Sequence, residues 1–242
     1  MAKKFTDSEL IELLKQFDTP TISNVVASYP AKTDVCLGLY EPWTSHWYTD
    51  SSMKVAYPEL GRTVGYAVTA VYGLPDPNFT RLGFADVLRA LGETPKPAVV
   101  CIQQDFPEEL KRKNGLAGGL MINAMKSAGA VAMITDGPSR DINEIRGMNF
   151  QYMMAGSAAG HGNLGVKAVS VPVRLAGMDV APGEIIHMDE NGALKFPAKY
   201  LREVYERAVL ITKQEDEKIK AMAATRDVEE LIRIMAGKGS KY

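Results

Sequence analysis

The sequence predicts an α/β sandwich with a mixed sheet and helices at both ends, and three observations carry that prediction. Helical spacing opens and closes the chain. Between these ends, apolar runs of strand length alternate with short helical segments. An Asn-Gly pair then separates two late apolar runs, which is a strong hairpin signal and requires part of the sheet to be antiparallel. With 242 residues, 46% hydrophobic and 24% charged, the chain can bury a sizeable core without a disulfide or zinc staple. A net charge of −1 offers no electrostatic basis for a nucleic-acid partner.

Thr6-Asp7-Ser8-Glu9 is capping chemistry ahead of Leu10, Leu13, Leu14 and Phe17 at helical spacing, so a helix starts here. Asp18-Thr19-Pro20-Thr21 reads as its stop, and residues 22–27 as a second helix. Residues 36–60 hold Trp43 and Trp47 with Tyr40, His46, Tyr48 and Tyr57. They read as a loop or hairpin whose aromatics pack on the core or on another subunit. A β-branched and aromatic strand follows at 63–72, a helix at 83–91, and a buried strand at 98–103 that includes the Cys101 thiol. Residues 105–114 are a solvated helix or loop.

Strand character returns at 150–154, before a glycine-rich loop at 155–165 that carries His161. Residues 166–171 and 172–175 are strand-like, and 179–183 is a turn. The runs 184–189 and 193–196 form the hairpin around Asn191-Gly192, with His187 placed on the outward face. Beyond Pro197 the pattern is helical to 222, with a last helix at 228–235 and a tail at 238–242. The charged start lacks a signal-peptide apolar region, and no run has the length of a membrane span. Two cysteines, Cys36 and Cys101, are too few for a disulfide scaffold. A cytoplasmic protein with no membrane partner is the expectation.

The chemistry concentrates in residues 117–146. Gly118 and Gly119 allow close backbone approach, and a helix over 120–127 leads into a buried strand over 130–135. Asp136-Gly137-Pro138 ends that strand and presents Arg140 beside Asp141. Free N–H groups around Gly118, Gly119, Leu120 and Met121 would then face a guanidinium and a carboxylate, a plausible pocket for a small carboxylic acid. The plainer reading of Arg140-Asp141 is a local ion pair at a helix start. The three histidines share no metal-ligand spacing, and His161, in its glycine loop, is the most interesting of them. No phosphate-binding glycine fingerprint or nucleophile elbow is present.

The stretch A-G-G-L followed by M-K-S-A-G-A-V-A-M-I-T-D-G-P-S-R-D resembles the core of the RraA-like family, which holds ribonuclease-activity regulators and 4-hydroxy-4-methyl-2-oxoglutarate aldolases. F-D-T-P-T-I-S-N at 17–24, V-P-V near Val171 and P-G-E-I-I-H-M-D-E-N-G at 182–192 extend the resemblance over roughly residues 10–220. It implies one swivelling β/β/α sandwich over 1–242, with a Trp-rich insertion at about 36–60 and a C-terminal helical extension at about 198–242. It also implies a homotrimer or homohexamer with sites between subunits.

By the same resemblance the protein is a metal-dependent lyase, an aldolase or decarboxylase that releases pyruvate from a small 2-oxo acid such as oxaloacetate. Arg140 pairs with the substrate, Asp141 holds a divalent metal, usually magnesium, and the N–H groups of Gly118, Gly119, Leu120 and Met121 bind the carboxylate. His161 and one C-terminal acid among Glu215, Asp216 and Glu217 are further candidates. Where the resemblance places an acid, position 119 is glycine. The alternative is a non-catalytic regulator that binds a ribonuclease or another protein.

Overall fold

The structure is a computed structural model that describes residues 5–28, 35–44, 46–79 and 81–236. Thr6 caps α1 (Asp7–Leu14) with the reciprocal Thr6–Glu9 capping box that its sequence advertises. The next helix, α2 (Thr19–Val26), begins three residues earlier than predicted. Asp18 is its N-cap, accepting from the Thr21 N–H at 2.8 Å, and Pro20 lies in its first turn, where the missing N–H costs nothing. The segment read as a stop is therefore also a start.

Of the aromatics at 36–60, Trp47 is buried, stacked on Tyr40 with ring centroids 5.3 Å apart, whereas Trp43 is exposed. The short strand β1 (Lys54–Val55) follows. Next come β2 (Thr63–Gly73), α3 (Phe84–Glu93), β3 (Ala98–Asp105) and the one-turn α4 (Glu108–Lys111). The central unit is α5 (Gly119–Ser127), β4 (Ala130–Thr135), α6 (Ile142–Arg146) and β5 (Gln151–Met154). Then come β6 (Gly165–Val169), β7 (Val173–Leu175), β8 (Met178–Val180), β9 (Ile185–Asp189) and β10 (Gly192–Phe196), and finally α7 (Leu201–Ala223) and α8 (Val228–Ala236). The tail at 238–242 lies outside the described residues.

The main sheet runs β1-β5-β4-β3-β2-β9-β10, with β6 also paired to β2. Strands β2 to β5 are parallel. The free edge of β2 is divided: β9 takes its first half and β6 its second, both antiparallel. The expected mixed sheet results, with the Asn191-Gly192 turn closing the β9–β10 hairpin. Residues 178–180, partly assigned to a turn in the sequence reading, pair with β7, because the tight Ala176-Gly177 link takes two positive φ angles and makes a second hairpin.

Both faces of the sheet are covered, and the period-two alternation of its strands sorts the core. Val68, Ala70, Val100 and Ile102 pack under α3 and α5. Ala67, Val99, Cys101 and Ile134 face the β7–β8 hairpin. This is the β/β/α layering. A third cluster joins α1, α2 and α7 to the β9–β10 hairpin.

His187 corrects the sequence reading, since it is fully buried rather than outward. Its Nδ1 lies 3.0 Å from the Thr19 hydroxyl and its Nε2 3.3 Å from the Leu14 carbonyl. The carbonyl can only accept, so Nε2 carries the proton and Nδ1 accepts from Thr19. Asp189, also buried, accepts from the Thr19 N–H at 2.7 Å. Burial pushes the imidazole pKa down to about 4, so it is neutral.

Candidate functional site

The site forms beyond the C-terminal ends of β3 and β4, where open parallel sheets usually present ligands. The loop after β4 is zipped to the segment before α5. Leu116 donates its N–H to the Pro138 carbonyl at 3.2 Å. The buried Ser139 hydroxyl donates to the Ala117 carbonyl at 2.8 Å and accepts from the Ala117 N–H at 3.2 Å. Tyr152 donates to the same carbonyl at 2.8 Å. Below, Asp136 accepts from the Gln104 N–H at 2.7 Å and pairs with Lys111 at 2.7 Å. These bonds fix the loop on which Arg140 and Asp141 stand.

Asp141 sits at φ 60°, ψ 36°, a left-handed conformation that, glycine aside, mainly asparagine and aspartate adopt. In that pose it does not cap its own helix, α6. Instead its Oδ2 accepts from the Gly119 N–H at 2.9 Å, supplying α5 with the cap that Gly118 cannot provide. Arg140 Nε is 3.7 Å from the same oxygen. Both side chains remain about one-third exposed, at 31% and 34%.

Gly118 is required here. A Cβ at this position would lie 2.2 Å from Asp141 Oδ2 and 2.9 Å from Arg140 Nε. At Gly119 a Cβ would lie 1.9 Å from Glu144 Oε1, so the Glu144 carboxylate occupies the space over the first turn of α5. The structure thus brings together Gly118, Gly119, Arg140 and Asp141, and adds Glu144. Sequence reasoning missed Glu144; its signal was the three-residue spacing from Asp141, which puts both carboxylates on one side of a helical turn.

Other candidates fall differently. Among the described residues, no hydrogen bond reaches the N–H of Leu120 or Met121, so two donors of α5 stay open to an anion, while the Gly119 donor is taken. The loop carrying His161 does border the site: Ser139 donates to the Gly156 carbonyl at 3.1 Å, and the Gly115 N–H to the Gly160 carbonyl at 2.9 Å. His161 itself is exposed, with its Nδ1 3.0 Å from the Gly162 carbonyl. Asp216 lies exposed on α7, with no hydrogen bond or ion pair to the Arg140 region.

Among the described residues, no three His, Cys, Asp or Glu side chains are grouped to enclose a metal. The hard oxygens of Asp141 and Glu144 still suit magnesium, which is commonly held by one or two carboxylates, with water and substrate completing the shell.

The RraA-like family model, described as Aldolase/RraA, matches residues 37–194. A protein of Halalkalibacterium halodurans, provisionally named a 4-hydroxy-4-methyl-2-oxoglutarate aldolase, is 27% identical over 143 residues, covering 59% of this chain and 65% of that protein. The chain spans less than two thirds of the length of this and the other curated relatives it matches. An uncharacterized protein of Pseudomonas syringae pv. tomato shares the fold with a TM-score of 0.70 and 20% identity, over 96% of this chain and 98% of its own. Streptomyces coelicolor RraAS2, described as an unusual member of the RNase ES inhibitor RraA family, has a TM-score of 0.65 at 17% identity, over 88% of this chain and 97% of its own. With the loop–helix geometry at 115–146 inside the matched region, the chain belongs to the RraA-like family.

Proposed function

We propose that the protein is a carbon–carbon lyase, an aldolase or decarboxylase, acting on a 2-oxo acid with a divalent metal. The observation that supports this most is the convergence of a guanidinium, two open N–H groups and two carboxylates on the first turn of α5. Arg140 pairs with the substrate carboxylate, and the Leu120 and Met121 N–H groups donate to it. Asp141 and Glu144 would hold magnesium. The chemistry such an ion supplies when bound is Lewis-acid polarisation of a 2-oxo group. The αL backbone of Asp141 and its bond to Gly119 keep its carboxylate oriented before substrate arrives.

The test is turnover of oxaloacetate and of 4-hydroxy-4-methyl-2-oxoglutarate with magnesium or manganese, read by pyruvate release. Wild type is expected to release pyruvate from at least one of them. Arg140→Ala is expected to lower kcat/KM by on the order of 100-fold, the cost of a lost charge-assisted pair. Absence of turnover with every divalent metal overturns the reading.

A further inference from the structure

A cavity of about 540 Å³ reaches α5 at Met121, within the size range of small-ligand sites. Its wall is largely carbon: Leu74, Phe79 and Phe84 from the β2–α3 region, Met121 from α5 and Val166 from β6. Leu74 and Phe79 stand exposed at the cavity, an apolar presentation to water that a ligand would relieve.

One polar group in this wall is unmatched. Tyr72, 2% exposed, has a buried hydroxyl with no hydrogen-bond partner among the described residues. Buried hydroxyls are nearly always bonded, so this one offers a donor and acceptor to whatever enters. The charged groups of the wall are already engaged. Lys167 pairs with Asp105 at 2.8 Å, and Asp76 accepts from the Asn78 N–H at 2.8 Å. Among the described residues of this wall, a second carboxylate would find no uncommitted cation.

Met121 lies two residues beyond Gly119, about 3 Å along the helix axis, so the cavity and the charged site share one turn. Met121 carries one of the open N–H groups of the charged site and also lines the cavity. Resting on the lyase reading above for the placement of the carboxylate, we propose that this cavity takes the apolar arm of the substrate. The preferred substrate is then a 2-oxo acid with an aryl or branched-alkyl substituent carrying one hydrogen-bonding atom, with small dicarboxylates turned over less efficiently. Pyruvate and oxaloacetate would leave the cavity unfilled.

The experiment is calorimetric titration of the full chain, in magnesium, with pyruvate, oxaloacetate and phenylpyruvate as probes. Phenylpyruvate is expected to bind at least ten-fold tighter than pyruvate. Leu82→Trp, at the cavity wall, is expected to lower phenylpyruvate affinity at least ten-fold, and Arg140→Ala to weaken it as well. Phe79→Ala, at an exposed position, is a second variant should the tryptophan disturb folding, and is expected to lower phenylpyruvate affinity. Equal binding of pyruvate and phenylpyruvate overturns the proposal. So does phenylpyruvate binding that ignores both wall variants, or that ignores Arg140→Ala. A change of oligomeric state in Leu82→Trp with no probe bound by wild type also overturns it, the cavity then being a contact between copies. Tight phenylpyruvate binding that depends on Arg140 and on the wall, without turnover of any 2-oxo acid, upholds the cavity and removes the lyase reading.

Discussion

Gly118 is where one hydrogen atom in place of a methyl group has the largest consequence for the site. Alanine there would put its Cβ 2.2 Å from Asp141 Oδ2. The backbone of Asp141 is held by its neighbours, so its side chain must rotate away and release the Gly119 N–H. Gly118→Ala is expected to cost on the order of 1–2 kcal/mol, as loss of a helix cap does. It should also weaken 2-oxo acid binding about ten-fold, since the carboxylate beside Arg140 is misplaced. Urea denaturation and calorimetry with pyruvate measure the two effects; unchanged pyruvate binding would remove Asp141 from the site. Gly119 differs, because the group in its way is the end of an exposed, flexible Glu144 side chain. Glycine at 119 was visible in the sequence as a missing acid. That another carboxylate fills the space was not, because the two residues lie on different elements.

At the element scale, the His187–Thr19 bond ties the entry of α2 to the β9–β10 hairpin, and the His187–Leu14 bond ties in the end of α1. The imidazole is neutral when folded because burial lowers its pKa to about 4, below the ordinary 6.5. Between these values the unfolded chain binds a proton that the folded chain does not. Stability is therefore complete above about pH 6.5 and falls as pH drops toward 4. The contribution is on the order of 3 kcal/mol across that window. His187→Gln keeps a polar side chain but cannot titrate, so its stability should fall less steeply over the same range. Urea midpoints between pH 7 and 4.5 compare the two proteins, and parallel curves would refute the assignment. The inward histidine was illegible in the sequence because every residue of β9 is buried. A strand covered on both faces lacks the polar–apolar alternation that tells one side from the other.

Across the whole molecule, the three clusters place nearly all of the buried apolar residues between α1 and α7. The last helix, α8, has none buried; its apolar Val228, Ile232 and Met235 are exposed. Ending the chain after Ala224 is expected to change unfolding free energy by less than about 1 kcal/mol, as surface changes generally do. A larger loss in urea denaturation would show that α8 supports the sandwich. None of the helices among the described residues is long and apolar enough to cross a membrane.

The strands at 98–103 and 130–135, the Asn191-Gly192 hairpin, the capped first helix and the Arg140-Asp141 pair after a broken strand were all determined by local chemistry. Each is specified by residues within one turn or one strand of each other, where propensity, capping and turn geometry act. What only the tertiary structure decided involves residues far apart in the chain. It set Asp141 on the N–H of Gly119, brought Glu144 over the same turn, turned His187 inward, and closed a cavity from β2, α5 and β6. Such contacts depend on how elements pack, and sheet order and crossover geometry leave no periodic mark on the sequence.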